Sequence, residues 1–240
     1  QTDEQLKESL EKAKQDGTMA YVIDLRDNPG GLLDQSVKVT SRFLGSDQLV
    51  VYTQGRKGLD RRDYRSLFSD GLSVSPIAIL INQYSASASE IVAGALRDSG
   101  RALIIGETSY GKGSVQTIFR LGDNSGLRLT TSKYYTPSGT DISEHGIAPE
   151  IRIFPDMLEE KNPPASASKS QQAEKHKRPQ SPINLKQSEV EKFLTSKGLV
   201  VSKENDPAIL FAHMVVKNFK EAGQTQTLEK ARELAANIHY

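Results

Sequence analysis

Short apolar runs that end in glycine- or serine-rich turns recur along this chain, and the first two of those turns lead into residues whose apolar positions repeat at helical spacing. Tyr21-Val22-Ile23-Asp24-Leu25 is β-rich and runs into Asp27-Asn28-Pro29-Gly30-Gly31, after which Leu33, Val37, Thr40 and Leu44 fall on one helical face. The unit repeats at Ile77–Ile81, whose unbroken apolar character reads as a buried strand. A turn containing Ser85-Ala86-Ser87-Ala88-Ser89-Glu90 then opens a helix carrying Ile91, Val92, Ala95 and Leu96. A third run, Ala102–Ile105, passes through Gly106-Glu107-Thr108-Ser109-Tyr110-Gly111 to Lys112. Strand, turn and helix in repetition predict parallel strands with covering helices, an α/β core.

The remaining segments read differently. Thr2-Asp3-Glu4-Gln5 has capping-box spacing ahead of Leu6, Leu10 and Ala13, and Gly17 supplies a stop, which predicts a surface helix over residues 3–16. Residues 50–72, with the run Arg56–Asp63, read as a solvated loop or hairpin, or as the border of a substrate groove. From Thr117 to Tyr135 the pattern is of short strands around a hairpin turn at Gly122–Gly126, a β subdomain. Three regions follow: a core over residues 1–153, a flexible linker over 154–187 and a helical C-terminal extension over 188–240. Pro163, Pro164, Pro179, Pro182 and the polar run Lys169–Arg178 carry the linker reading. In the extension, Asp206-Pro207 caps a helix through Phe211, Val215 and Phe219, and Leu228, Ala231, Ala235 and Ile238 stripe a second. These helices read as an appendage for docking an adaptor or forming a homodimer.

Charge and composition narrow the class without naming a function. Across 240 residues, 31 Lys and Arg balance 30 Asp and Glu, so the net charge of +1 gives no basis for nucleic acid or an anionic membrane as partner. With no cysteine, disulfides and thiolate metal sites are excluded. No apolar run approaches the roughly 20 residues of a membrane-spanning helix. The start, Gln1-Thr2-Asp3-Glu4, is neither an initiator methionine nor a signal peptide and reads as a processed or excised piece. His145, His176, His213 and His239 show no ligand spacing, so no metal is expected, and the chemistry below needs no cofactor.

Ser87 stands at a helix entrance and Lys112 on a glycine-flanked loop, each just past a predicted strand. A serine hydroxyl becomes nucleophilic when a neighbour takes its proton, and a lysine takes it only when neutral. An ordinary lysine loses its proton well above neutrality, so the site must discharge it. Apolar flanks at Leu103–Ile105 and at Val115, Ile118 and Phe119 suggest burial as the means. The free N–H of Ala88, beside a nucleophile at a helix N-terminus, is a natural oxyanion donor, with Gly30 or Gly31 as the second.

Two plainer readings compete. Ser-Ala strings are common, and Ala165-Ser166-Ala167-Ser168 repeats the composition where no strand or helix frames it, so Ser87 alone reads equally as a helix cap. Gly106–Lys112 nearly spells a phosphate-binding loop, but Gly113 stands where Ser or Thr should meet magnesium. The alternating Val115-Gln116-Thr117-Ile118-Phe119 that follows is a strand pattern, so no helix dipole would face a phosphate.

Taken together, Asp24–Gly31, Ser85–Glu90 and Gly111-Lys112-Gly113-Ser114-Val115-Gln116 closely resemble the carboxyl-terminal processing (tail-specific) proteases, a family of Ser-Lys serine endopeptidases. The resemblance covers about residues 3–153 and includes Tyr134–Gly139 and Gly146-Ile147-Ala148-Pro149 as closing motifs. It implies a crotonase-like protease core with layered sheet and helices, Ser87 as nucleophile, Lys112 as base, Gln116 holding the lysine, and Asp98 at an acidic position that some members need. The oxyanion donors map to Ala88 and the Gly30-Gly31 turn. Tyr84 departs from the family, which often has glycine there. The resemblance further implies unfolded polypeptide C-termini as substrates and a bacterial periplasm or cell envelope as location. A substrate-sensing PDZ domain, usual ahead of the equivalent of residue 3, finds no place in this sequence, so a weak enzyme is expected. The alternative is a catalytically silent module that binds polypeptide tails or an adaptor.

Overall fold

The computed structural model describes residues 1–18, 20–58, 60–68, 75–122, 125–154, 182–199, 201, 206–218 and 233. Along the chain run α1 (Thr2–Gln15), β1 (Tyr21–Asp24), α2 (Leu33–Ser41), β2 (Leu49–Gly55), β3 (Arg62–Arg65), β4 (Ile77–Ile81), α3 (Ala88–Asp98) and β5 (Leu103–Gly106). They are followed by β6 (Ser114–Arg120), β7 (Gly126–Tyr135), α4 (Ile142–His145), β8 (Ile151–Phe154), β9 (Ile183–Lys186), α5 (Gln187–Ser196) and α6 (Pro207–Asn218). None of the described helices is long and apolar enough to cross a membrane.

The strands form two sheets, one of five in the order β1-β4-β5-β8-β9 and one of four in the order β3-β2-β7-β6. Every pairing in the first is parallel, which explains the unbroken apolar run of β4: a parallel sheet is covered on both faces, so each side chain of Ile77–Ile81 is buried. Alternation divides those side chains between two cores. Ile77, Ile79, Ile81 and Ile104 face one core with residues of α2 and α3, while Ala78, Leu80, Leu103 and Ile105 face a second with residues of α5 and α6.

The expected parallel units are present, and residues 50–72 supply the antiparallel pair β2–β3. Helix α1 starts at Thr2 without a side-chain cap. Asp3 instead leaves the capping pattern to take Arg42 in a two-pronged ion pair at 2.8 and 2.9 Å, so this helix is fastened to α2 at its start.

The C-terminal region differs from its reading as linker and appendage. Ile183–Lys186, inside the expected linker, is the fifth strand of the parallel sheet, in register with β8. Helix α5 buries Val190, Phe193 and Leu194, and α6 buries Phe211, Ala212, Val215 and Val216. A sheet with helices on one face would leave Ala78, Leu80 and Ile105 in water, and these two helices cover them. Most of the expected linker, residues 155–181, and all of the second expected helix, Leu228–Ile238, apart from position 233 lie outside the described residues.

Candidate active site

The loops after β1, β4 and β5 leave the carboxyl ends of three adjacent parallel strands, the edge where open α/β sheets place their ligands. They carry Gly30-Gly31, Ser87-Ala88 and Lys112 respectively, so the topology itself gathers these residues.

Three serines alternate in the turn after β4, and hydrogen bonding separates them. Ser85 Oγ donates to Leu25 O at 2.7 Å and accepts from Asn82 N–H at 3.0 Å. Ser89 Oγ donates to Asn28 O at 3.1 Å. Both are buried and stitch the turn after β4 to the loop after β1. Ser87, between them, is half-buried and is the N-cap of α3 with φ 58° and ψ −115°. A non-glycine residue with positive φ is uncommon and costs of the order of 1–3 kcal/mol, which the surrounding bonds must hold in place.

Glu90 does much of that holding. It is fully buried in the first turn of α3, and its two oxygens accept four hydrogen bonds. Oε2 receives the backbone N–H groups of Ser87 at 2.7 Å and Lys112 at 2.8 Å. Oε1 receives the N–H of Gly111 at 2.6 Å and the hydroxyl of Ser109 at 2.5 Å. A buried carboxylate is costly unless so partnered, and charge-assisted bonds of this kind are roughly twice as strong as neutral ones. The Ser87-x-x-Glu90 spacing of a capping box carried the signal for this residue, which the sequence reading did not single out.

The Lys112 loop is pinned from the other side by the closing motifs. Ser109 exchanges bonds with Ile147, accepting its N–H at 2.7 Å and donating its own N–H to Ile147 O at 3.1 Å. Tyr110 N–H meets Ser85 O at 3.0 Å. A Cβ on Gly113 would lie 2.3 Å from Ser143 N, so only glycine lets the loop rest on α4.

The oxyanion candidates also separate. Gly30, at φ 92°, packs against the turn after β4 so closely that a Cβ would stand 2.4 Å from Ala86 O and 2.6 Å from Ala88 N. Its N–H is engaged by Asn28 Oδ1 at 3.0 Å. The N–H groups of Ala88 and Gly31 have no hydrogen-bond partner among the described residues.

Other expected site residues are placed as follows. The Lys112 side chain is exposed. Burial by its apolar flank does not occur here, because Ile118 and Phe119 ride out on β6 and are themselves exposed. Gln116 lies on β6 just past a register irregularity, is exposed, and makes no side-chain hydrogen bond among the described residues. Asp98 closes α3 at its far end, about 15 Å from its first residue at about 1.5 Å per position. There it takes Arg97 and the Ser138 N–H, both at 2.9 Å, so it anchors the turn after β7 and is not brought to Ser87. Among the described residues no group of three or more His, Asp or Glu has the disposition of a metal site.

Residues 1–153 match Peptidase family S41. A carboxy-terminal-processing protease of Bartonella bacilliformis is 54% identical over 148 residues, which are 62% of this chain and 34% of that protein. A carboxyl-terminal-processing protease of Picosynechococcus is 42% identical over 142 residues, 59% of this chain and 34% of that protein. Among solved structures, a photosystem II D1 C-terminal processing protease superposes with a TM-score of 0.56 at 36% identity, covering 59% of this chain and 36% of that one. The chain thus spans about a third of the length of these relatives. With the loops after β4 and β5 held together at Glu90, the loop after β1 packed against the β4 loop through Gly30, and the family match running through all three, this chain belongs to Peptidase family S41.

Proposed function

We propose that this chain is a serine endopeptidase working through Ser87 and Lys112. The observation that carries the reading is the shared oxygen of Glu90, which fixes the backbones of both residues to one point. Ser87 Oγ bonds to a peptide carbonyl carbon while its proton passes to Lys112 Nζ. The carbonyl oxygen, now negative, is received by the N–H groups of Ala88 and Gly31, with Gly30 joining if Asn28 releases it. The C–N bond then breaks, the leaving amine takes the proton from Lys112, and water hydrolyses the acyl-enzyme. Lys112 must be neutral for the first step, and a substrate covering its exposed side chain supplies the desolvation that the free chain lacks. The names of the relatives support C-terminal segments of proteins as substrates; that these segments are unfolded, and that the location is a bacterial periplasm or cell envelope, is proposed from the motif resemblance alone. Gln116 is proposed to orient Lys112 once the site closes, and Asp98 to act at a distance by steadying α3.

A second reading draws on two of the same observations. Exposure of Lys112 and the engaged N–H of Gly30 describe a site short of its productive form, as in a catalytically silent module that holds polypeptide tails or an adaptor. Cleavage of casein, beside labelling by a serine-reactive fluorophosphonate, separates the two. Cleavage that disappears in Ser87→Ala and Lys112→Ala establishes the enzyme, and cleavage unchanged in either variant overturns the dyad. Absence of cleavage, with casein still bound, supports the silent module.

A further inference from the structure

The hairpin β6–β7 projects beyond the rest of its sheet. Strand β2 pairs only with Ser132–Tyr135 of β7, so Gln116–Arg120 and Gly126–Thr130 have each other as their strand partners. At about 3.3 Å per residue this arm is about 17 Å long. Its two faces differ. Thr117 lies opposite Leu129 and Phe119 opposite Leu127, and the Thr117 and Thr131 hydroxyls meet at 3.0 Å, which makes one face apolar. The other bears Gln116, Ile118 and Arg120 with Arg128 and Thr130. Water reaches both: Phe119, Leu127 and Leu129 are 45%, 44% and 45% exposed and Ile118 is 68% exposed. Arg120 and Arg128 have no ion-pair partner among the described residues.

Such a ribbon is marginally stable by itself. The edge of β6 also lacks the usual protection, since Gln116–Arg120 contains neither proline nor lysine and its one irregularity lies at the root, between Val115 and Gln116. The root is where the edge meets the chemistry: β6 begins two residues after Lys112. A ligand laid along this edge leads to the loops around Ser87.

We propose that the β6–β7 arm docks the unfolded stretch of the substrate as an added strand on the free edge of β6, favouring apolar residues at alternate positions beside Phe119 and acidic residues at the intervening positions beside Arg120. The polypeptide nature of the ligand is taken from the proteolytic reading above. Backbone pairing supplies affinity that is indifferent to sequence, and the two faces of the arm supply the choice, because alternate side chains of an extended peptide point to opposite faces.

The test uses the full chain carrying Ser87→Ala, which prevents cleavage, and fluorescent peptides of about ten residues, long enough to span the arm. One peptide alternates Val and Glu, a second has the same composition in blocks, and two more carry backbone N-methyl groups at every second residue in either register. Anisotropy should show the alternating peptide binding at least about tenfold tighter than the block peptide. One N-methyl register should abolish binding and the other should leave it intact. Phe119→Ser should remove the preference for alternation, and Arg120→Glu should transfer it to a Val-Lys peptide, with unfolding midpoints unchanged in both. Equal binding of alternating and block peptides, or equal effects of the two N-methyl registers, overturns the proposal without reference to any variant. So does a Phe119→Ser chain that sediments as monomer where its parent is a dimer while peptide affinity stays the same, for the arm then serves a second copy. Casein cleavage by the unmodified chain is read separately. No cleavage with register-dependent binding removes the reaction and keeps the arm, and cleavage without such binding removes the arm alone.

Discussion

The backbone N–H groups of Ser87 and Lys112 donate to one and the same oxygen, Glu90 Oε2, at 2.7 and 2.8 Å. The two residues come from loops after different strands, so a single buried side chain ties the backbones of both, beside the Tyr110 N–H bond to Ser85 O that also joins the two loops. The other oxygen holds Gly111 and Ser109, and Ser109 in turn holds Ile147. The strained φ of Ser87 is thereby locked from both the helix side and the lysine side.

Glu90→Gln therefore removes more than a cap. An amide has one oxygen and an NH2 group, and the NH2 would face N–H donors, leaving at least one pair of buried donors unmet at a cost on the order of 3 kcal/mol. Thermal unfolding should register that loss, and casein cleavage should fall by at least about a hundredfold, since small misplacements at a reacting centre cost about that much. A Glu90→Gln chain that cleaves like its parent would show that the shared oxygen does not position the dyad.

The serine triplet gives opposite signatures for residues two positions apart. Ser85→Ala loses the bonds to Leu25 and Asn82 and should destabilise by about 1–3 kcal/mol while leaving the nucleophile in place. Ser87→Ala should leave the unfolding midpoint nearly unchanged and abolish cleavage and fluorophosphonate labelling. Ser87→Gly, which accepts φ 58° without strain, should be inactive yet more stable by up to about 1 kcal/mol. Lys112→Arg should be as inactive as Lys112→Ala, because a guanidinium does not give up its proton near neutrality. Denaturant titration beside an activity assay reads all five.

The two glycines of the turn should also part company. Gly30→Ala sets a Cβ against Ala86 O and Ala88 N at a positive φ, and both contacts are backbone that cannot swing away. A loss of more than about 2 kcal/mol and of all cleavage is expected. A Cβ on Gly31 meets nothing within 4 Å, so Gly31→Ala should fold normally and keep its N–H. If Gly30→Ala melts like its parent, the close approach described here is not present in solution.

Much of this was legible in the sequence, and the rest failed for physical reasons. The parallel strands announced themselves because burial on both faces forces continuous apolar runs such as Ile77–Ile81, and Ser87, Lys112 and the glycine turn sit where those runs end. Strand β9 did not, because the alternation of Ile183-Asn184-Leu185-Lys186 lasts only four residues and follows a proline-rich stretch; pairing with β8 and the burial of Leu185 make it a strand. Helix α5 carried a helical spacing at Val190, Phe193 and Leu194 inside the expected helical extension, but neither of the two helices read there included it. The exposure of Lys112 was hidden for the opposite reason: Ile118 and Phe119 are its neighbours in sequence but ride away on the arm. Glu90 was visible as a spacing, while its burial and its four donors depend on loops distant in sequence.

The floor beneath the Lys112 loop should make stability depend on acid. Gly113 rests on α4, and Asp141 caps that helix, accepting the N–H of Ser143 at 2.8 Å and pairing with Lys133 at 2.7 Å. Burial pushes the Asp141 carboxyl up, but the hydrogen bonds from Lys133 and Ser143 outweigh it and hold it below its ordinary value of 3.8. A group whose folded value is depressed contributes its stability in full above the unfolded value and loses it as pH falls through the folded one. Asp141→Asn keeps an oxygen that can cap Ser143 but loses the charge facing Lys133, and should therefore lower stability at pH 7 by up to about 1 kcal/mol. The gap should persist down to about pH 5 and close below about pH 4, where the parent carboxyl is itself taking up its proton. Unfolding midpoints of both chains across that range provide the measurement, and a gap that stays constant to pH 3 would show that the charge of Asp141 contributes nothing to the floor on which Lys112 stands.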